Sequence, residues 1–157
     1  MANSHKPIIL TNVQIKDIAQ DFDCGFCCYI HKESGKIITI PDMPQMYDMD
    51  VTPFEEDLDE LEENMFDYFE IERMTSHDSF EVMEQFAEQV TNNRLQDQLF
   101  NTLNQKKPFS KFKFVVEDSG SYRQEWFDFK AAKLQQWVKG KVDRYNREMD
   151  TLDELED

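Results

Sequence analysis

Three cysteines near the start of the chain are the side chains whose type and spacing most directly suggest chemistry. Cys24-Gly-Phe-Cys27 is a C-x-x-C pair and is followed directly by Cys28. Thiol–disulfide exchange needs such a pair at the start of a helix, where the macrodipole lowers the thiol pKa, but the residues up to His31 are typical of a strand. A zinc site usually has four ligands, and His31, which shares a strand face with Cys27, adds only a third. We therefore interpret the cysteines as small apolar core residues and predict no cofactor and no metal, while the sequence leaves open whether Cys24, Cys27 and His31 bind a metal ion.

Other motifs with a defined chemistry are incomplete or absent from the sequence. Asp48-x-Asp50-x-Thr52 begins like a calcium loop, but Pro53 occupies the position at which that loop requires glycine. The chain has no glycine-rich phosphate loop and no G-x-S-x-G nucleophile motif. The histidines, which lie outside metalloprotease frames, are His5, His31 and His77. We place His5 in a disordered N-terminal tail, assign no catalytic residue and favour a non-enzymatic protein.

Negative charge is concentrated in one part of the chain. The 157 residues carry a net charge of −16, and residues 42–90 hold 17 acids and a single base, Arg73. Such a segment repels nucleic acid and anionic membranes and attracts a basic partner. Its densest part, residues 42–64, also contains Met43, Met46 and Met49, whose side chains adapt to irregular surfaces. We predict that a basic protein partner docks on the carboxylates of Glu55, Glu56, Asp57, Asp59, Glu60, Glu62 and Glu63.

Aromatic and basic residues alternate between residues 107 and 130. One interpretation is a phosphate or single-strand nucleic-acid site in which the aromatics stack on bases. A second is that the aromatics form core at helical spacing while the lysines remain in water. A third pairs this basic edge with residues 42–64, within the molecule or in a second copy. The net charge argues against nucleic acid, and we favour packing over base stacking.

The same stretch carries a resemblance to a known family. Pro-Phe-Ser-Lys-Phe-Lys, followed by Arg-x-x-Trp-x-x-Phe, resembles the signature of a bacterial family known as uncharacterised protein family 0158. The order of further short pieces is similar to that family over roughly residues 9–145. Ser110 stands where the family usually has a second basic residue. The resemblance implies a fold and no catalytic residue, and the signature positions are Phe109, Lys111, Phe112, Lys113, Arg123, Trp126 and Phe129.

The elements that position these residues follow from hydrophobic periodicity. Thr11 is a suitable N-cap for a first helix, and residues 26–31 and 36–40 predict a hairpin around Gly35. Residues 67–73 alternate like a third strand. Thr52 is predicted to cap a short acidic helix with Phe54, Leu58 and Leu61 on its apolar side. Helical stripes begin at Ser79. Residues 108–116 fit a helix or a strand, and the family resemblance favours helix. A long last helix is expected to end near Asn146.

These patterns predict an α+β fold with a small three-stranded antiparallel sheet, about four to five helices and a long C-terminal helix. We expect one domain over residues 1–147, with the acidic segment 42–64 inserted, and a flexible acidic tail over residues 148–157. The odd, clustered cysteines and the missing signal and membrane segments predict a cytoplasmic protein. We predict an interaction or regulatory module with an acidic docking surface. The alternative is a small-ligand protein or enzyme with an aromatic pocket between the sheet and the C-terminal helix, near Tyr29, Tyr68, Trp126 and Trp137. Oligomeric state does not follow from the sequence.

Overall fold

The computed structural model describes residues 5–42 and 50–156, and the chain divides into two compact units. One unit comprises residues 1–73 and 134–157, and the other comprises residues 74–133. The elements of the first unit are α1 (Asn12–Asp23), β1 (Phe26–His31), β2 (Ile37–Pro41), α2 (Glu55–Glu63), β3 (Tyr68–Ile71) and the part of α6 (Tyr122–Glu156) from Leu134 onward. The second unit contains α3 (Ser76–Gln89), α4 (Asn93–Leu103), α5 (Pro108–Glu117) and the start of α6. The predicted α+β class is confirmed, and a single domain over residues 1–147 stays a prediction.

The three strands form one antiparallel sheet in the order β2-β1-β3. Tyr29 in the central strand is opposite Ile38 on one side and Glu70 on the other. Gly35 provides the positive φ of 75° that the hairpin turn requires. The predicted hairpin and third strand are therefore confirmed, although β3 is limited to four residues.

Both faces of the sheet are covered by helices. Because successive strand residues point to opposite faces, Cys28 and Ile30 pack with α1 and with Val138 and Val142 of α6. The other face carries Ile38, Ile40 and Tyr68, and it packs against α2. The sheet thus supports the acidic helix α2 directly.

Thr11 caps α1 as predicted, since its hydroxyl accepts a hydrogen bond from the backbone of Gln14.

Helix α6 is longer than the sequence predicts. It continues past the expected end near Asn146 as far as Glu156, so residues 148–156 of the predicted acidic tail are helical. The Asn146 side chain exchanges two hydrogen bonds of 2.9 Å with the backbone of Ile8, and Arg144 pairs with Glu148 at 3.0 Å. The two bonds with Ile8 tie the N-terminal segment to α6, and hydrophobic periodicity in the sequence does not predict such a contact.

The second unit has an aromatic core. The ring of Phe112 lies 5.0 Å from that of Trp126, and Phe86 lies 5.2 Å from Trp126, measured between centroids. Residues 108–117 are helical, so the choice left open for this segment is settled. No helix within the described parts of the chain is long and apolar enough to cross a membrane.

Candidate functional site

Helix α2 separates its apolar and acidic residues onto two sides. Phe54, Leu58 and Leu61 pack against Ile38 and Ile40 of the sheet, as their spacing predicts. The remaining positions therefore point away from the sheet. Of the seven carboxylates predicted for docking, Asp57 and Glu60 are half-buried, and the exposed ones are Glu55, Glu56, Asp59, Glu62 and Glu63.

Glu60 has a structural role that the other carboxylates of α2 do not share. Its Oε2 accepts a hydrogen bond of 2.7 Å from the hydroxyl of Tyr68, and its Oε1 accepts one of 3.1 Å from Asn64. The bond from Tyr68 lowers the pKa of Glu60, while burial raises the pKa of Tyr68 to about 12. Glu60 is thus used within the fold, and we define the α2 acidic face as Glu55, Glu56, Asp57, Asp59, Glu62 and Glu63.

The start of α2 differs from the prediction. Thr52 is the first residue of a short 3₁₀ turn, Thr52–Phe54, and α2 follows it. The backbone N–H of Thr52 donates a 3.0 Å hydrogen bond to the carboxylate of Asp50, and bonds from Thr52 lower the pKa of Asp50. The prediction that Thr52 caps α2 is therefore wrong, because Phe54 is the residue that precedes α2 and its side chain makes no capping hydrogen bond. Met43, Met46 and Met49 lie outside the described residues.

Acidic residues occupy both ends of α2. Glu55, Glu56 and Asp57 are in its first turn, where they complement the positive end of the helix dipole. Glu62 and Glu63 are at its negative end, and the last turn contains no basic residue. Within residues 5–42 and 50–156, none of the α2 acidic face belongs to an ion pair. The three carboxylates of the first turn stabilise the helix, whereas Glu62 and Glu63 do not.

Two large apolar side chains project into solvent directly after α2. In the 3₁₀ turn Met65–Asp67, the side chain of Phe66 is 88% exposed and that of Met65 is 61% exposed. Lys32 holds this turn, since its Nζ donates to the carbonyl of Phe66 and its backbone N–H donates to the carbonyl of Asp67, both at 2.9 Å. We refer to Met65 and Phe66 as the apolar knob. It lies next to the acidic face in the chain and is fixed by backbone contacts.

The family signature is divided between core and surface. Phe112 and Trp126 are buried, and Phe129 packs against Phe86 at 5.5 Å between centroids. The guanidinium of Arg123 lies 4.9 Å from the ring centre of Phe127. The exposed signature residues are Phe109, Lys111, Lys113 and Arg123, and Lys111 also lines an open groove of about 600 Å³ between α4 and α5. Phe112, Trp126 and Phe129 thus belong to the core, as the favoured interpretation expects, whereas Phe109 does not.

The three cysteines are divided between the end of a helix and a strand. Cys24 is exposed at the end of α1, whereas Cys27 and Cys28 lie in β1. Burial raises the pKa of both strand thiols, that of Cys28 to about 12, so the thiolate needed for exchange is disfavoured. His31 uses Nδ1 to accept hydrogen bonds from the backbone of Glu33 and Ser34 at 3.1 and 3.0 Å. Among the described residues, Cys24, Cys27 and His31 are not gathered into a metal-binding group.

The four aromatics of the alternative pocket serve packing and hydrogen bonding. Trp126 is in the core of residues 74–133, and Tyr29 and Tyr68 pack on the α2 side of the sheet. The indole N–H of Trp137 donates to the carbonyl of Glu72 at 2.7 Å. A cleft of about 190 Å³ between β3 and α6 is lined by other residues, among them Phe69. It is smaller than the roughly 300–1,000 Å³ of typical ligand pockets, and the ligand alternative stays a prediction.

A further cluster was not predicted from the sequence. His5 lies beside Asp150 and Asp153 of α6, with ligand atoms that all fall within 4.8 Å of one another. The prediction that His5 belongs to a disordered tail is wrong, because its imidazole is largely buried there and lies edge-on to Tyr145. The i, i+3 spacing of the two aspartates is a weak signal by itself. No pattern in the sequence indicates that these two aspartates contact His5, which is more than 140 residues away in the chain.

Comparison with known proteins identifies one family. A family model described as an uncharacterised protein family (UPF0158) matches residues 5–156, which include the signature positions. No curated protein and no solved structure is similar enough to the chain to count as a match.

Proposed function

The chain belongs to the uncharacterised family UPF0158, and membership of that family implies no activity. We therefore propose a function from the geometry of α2 and of the turn that follows it. The protein is a non-enzymatic interaction or regulatory module of the cytoplasm, and it docks a basic segment of a protein partner. The free thiols of Cys24, Cys27 and Cys28 are consistent with a reducing compartment.

The observation that carries the proposal is the exposed Phe66 beside carboxylates that lack ion pairs. An aromatic ring in water gives the fold no burial energy, yet Lys32 holds the backbone of this turn in place. Aromatic residues are enriched among the side chains that dominate binding energy at interfaces. A turn that is already ordered loses little conformational entropy on binding. Phe66 therefore has the properties of an anchor for an apolar pocket on a partner.

The acidic face supplies long-range attraction to the same partner. Its carboxylates are mostly exposed, and Glu62 and Glu63 oppose the helix dipole instead of stabilising it. Complementary charge accelerates encounter and selects the partner more than it increases affinity. We therefore expect a partner with lysine or arginine residues around an apolar pocket, and an association rate that falls as salt rises.

The test compares capture by the full chain and by three variants. The docking variant replaces the six carboxylates of the α2 acidic face with amides and keeps Glu60, which the fold needs. A matched control removes six other exposed carboxylates with the same change in net charge: Asp17→Asn, Glu33→Gln, Glu88→Gln, Asp97→Asn, Glu125→Gln and Asp143→Asn. The third variant is Phe66→Ser, at a side chain that contributes little to the core.

Immobilised proteins are incubated with an extract of the source cell and washed at low and moderate salt. We expect a basic protein on the native chain and on the matched control, its loss from the docking variant and its reduction on Phe66→Ser. Equal retention by the native chain and the docking variant overturns the proposal, as does the absence of any specific protein. Loss from both six-site variants would assign the effect to net charge and not to this face.

A further inference from the structure

We infer that His5, Asp150 and Asp153 form a binding site for a divalent transition-metal ion. Asp150 and Asp153 are three residues apart on α6, so both carboxylates leave the same face of the helix. The Nδ1 atom of His5 lies 3.2 Å from Oδ1 of Asp150 and 3.5 Å from Oδ2 of Asp153. One imidazole and two carboxylates of the first unit therefore place their ligand atoms within 4.8 Å of one another.

The two separations from Nδ1 are those expected between ligands that share one ion. Zinc binds histidine nitrogen and aspartate oxygen at about 2.0–2.2 Å, so two ligands at tetrahedral or octahedral angles are roughly 3.0–3.5 Å apart. Both measured separations from Nδ1 match that range. The backbone N–H of His5 also donates a 2.6 Å hydrogen bond to Oδ2 of Asp153, which orients the carboxylate toward the imidazole. Such outer contacts commonly orient metal ligands.

The imidazole provides a second and independent observation. Its side chain is 13% exposed, and within the described residues neither Nδ1 nor Nε2 has a hydrogen-bond partner of good geometry. A buried nitrogen without a partner costs stability, and a metal ion at Nδ1 supplies that partner on the side of the carboxylates. The competing explanation is a protonated His5 held by two carboxylates without any metal, and it makes the opposite prediction in a metal titration.

The ligand chemistry selects the class of ion. Imidazole together with carboxylate suits Zn²⁺ and its neighbours, whereas calcium and magnesium prefer oxygen ligands alone. Asp150 is 68% exposed, so water can occupy the coordination positions that three protein ligands leave open. The bound ion would join the segment around His5 to the last turns of α6.

The experiment titrates the full, chelator-stripped chain with Zn²⁺ by calorimetry. The site variants are His5→Gln and Asp150→Asn, the second at a side chain that is 68% exposed. His77→Gln is the matched control, because His77 is also a histidine near a carboxylate, 3.0 Å from Glu81, but belongs to no group of three ligands within residues 5–42 and 50–156. Cys24→Ser/Cys27→Ser removes the thiols that could bind zinc elsewhere.

We expect one Zn²⁺ per native chain, and an affinity lower by about tenfold or more in both site variants. His77→Gln and the cysteine variant should bind as the native chain does, and Zn²⁺ should raise the melting temperature of every protein except the site variants. Absence of saturable binding overturns the inference and favours the plain ion pair. Binding that survives in His5→Gln and Asp150→Asn, or that disappears with the cysteines, also overturns it.

Discussion

Glu60 differs from the other carboxylates of α2 because the fold uses both of its oxygens. One accepts from the buried Tyr68 and the other from Asn64. Tyr68 also lies edge-on to His31 at 5.0 Å between ring centroids. Its side chain therefore contacts both α2, through Glu60, and the last residue of β1. A residue that looks like one more surface acid thus fixes the position of α2 on the sheet.

Tyr68→Phe tests this role. Removing the hydroxyl leaves the ring packed but deletes a hydrogen bond to a charged acceptor, so we expect a loss of about 1–2 kcal/mol in the free energy of unfolding at neutral pH. The bond lowers the pKa of Glu60 in the folded state, so its contribution is present above the ordinary carboxyl range and is lost as pH falls through the lowered pKa. The difference between the two proteins should therefore shrink on acidification.

The measurement is urea unfolding of both proteins at several pH values. Tyr29→Phe on the same sheet face is the control, since the Tyr29 hydroxyl makes no hydrogen bond within the described residues. A difference for Tyr68→Phe that is constant with pH would contradict the role of the Glu60 carboxylate.

Residue roles were only partly predictable from the sequence. The spacing of Phe54, Leu58 and Leu61 correctly identified the buried side of α2, because burial follows the helical period. Periodicity does not record which polar side chain meets a distant partner. Glu60 and His5 both depend on such contacts, with Tyr68 and with α6 respectively, and neither role was predicted.

At the scale of elements, α2 combines a favourable and an unfavourable end. Its first-turn acids stabilise the helix, while Glu62 and Glu63 add negative charge where the dipole is already negative. Glu62 and Glu63 therefore destabilise the helix, which is consistent with the proposed role in docking.

Paired double variants measure this asymmetry. Glu62→Gln/Glu63→Gln should raise the free energy of unfolding by roughly 0.3–1 kcal/mol at low salt, and Glu55→Gln/Glu56→Gln should lower it by a similar amount. Both pairs remove the same charge, so each is the control for the other in chemical denaturation. The same sign for both pairs would show that overall repulsion outweighs the dipole.

Helix α5 illustrates why element type was ambiguous in the sequence. Phe112 and Val116 satisfy a helical period, whereas Phe112, Phe114 and Val116 satisfy a strand period. In the structure Phe112 and Val116 are buried and Phe114 is 74% exposed, so the i, i+4 pair belongs to the core. One residue, Phe114, produced the ambiguity, and the family resemblance favoured the correct alternative.

At the scale of the whole molecule, the net charge of −16 is a source of repulsion. Raising NaCl from about 0.01 to about 0.15 M shortens the Debye length from roughly 30 to roughly 8 Å. We therefore expect the melting temperature, followed by circular dichroism, to rise with salt over this range. The docking variant should respond less than the matched six-site control, because its removed charges are adjacent in one helix. An equal change in melting temperature for the two variants would mean that charges adjacent on α2 repel one another no more than charges spread over the surface.

The discontinuous composition of the first unit has a consequence for synthesis on the ribosome. The apolar sheet face with Cys28, Ile30 and Ile71 is completed by Val138 and Val142, which are translated after residues 74–133. The ribosome therefore completes the unit of residues 74–133 before it has made all the core residues of the unit that begins at the N-terminus. Until the part of α6 from Leu134 onward emerges, α1 alone covers this face of the sheet. The nascent chain then exposes apolar surface, a state in which chains are prone to aggregate. A stop codon shortly before Val138 would make that transient exposure permanent.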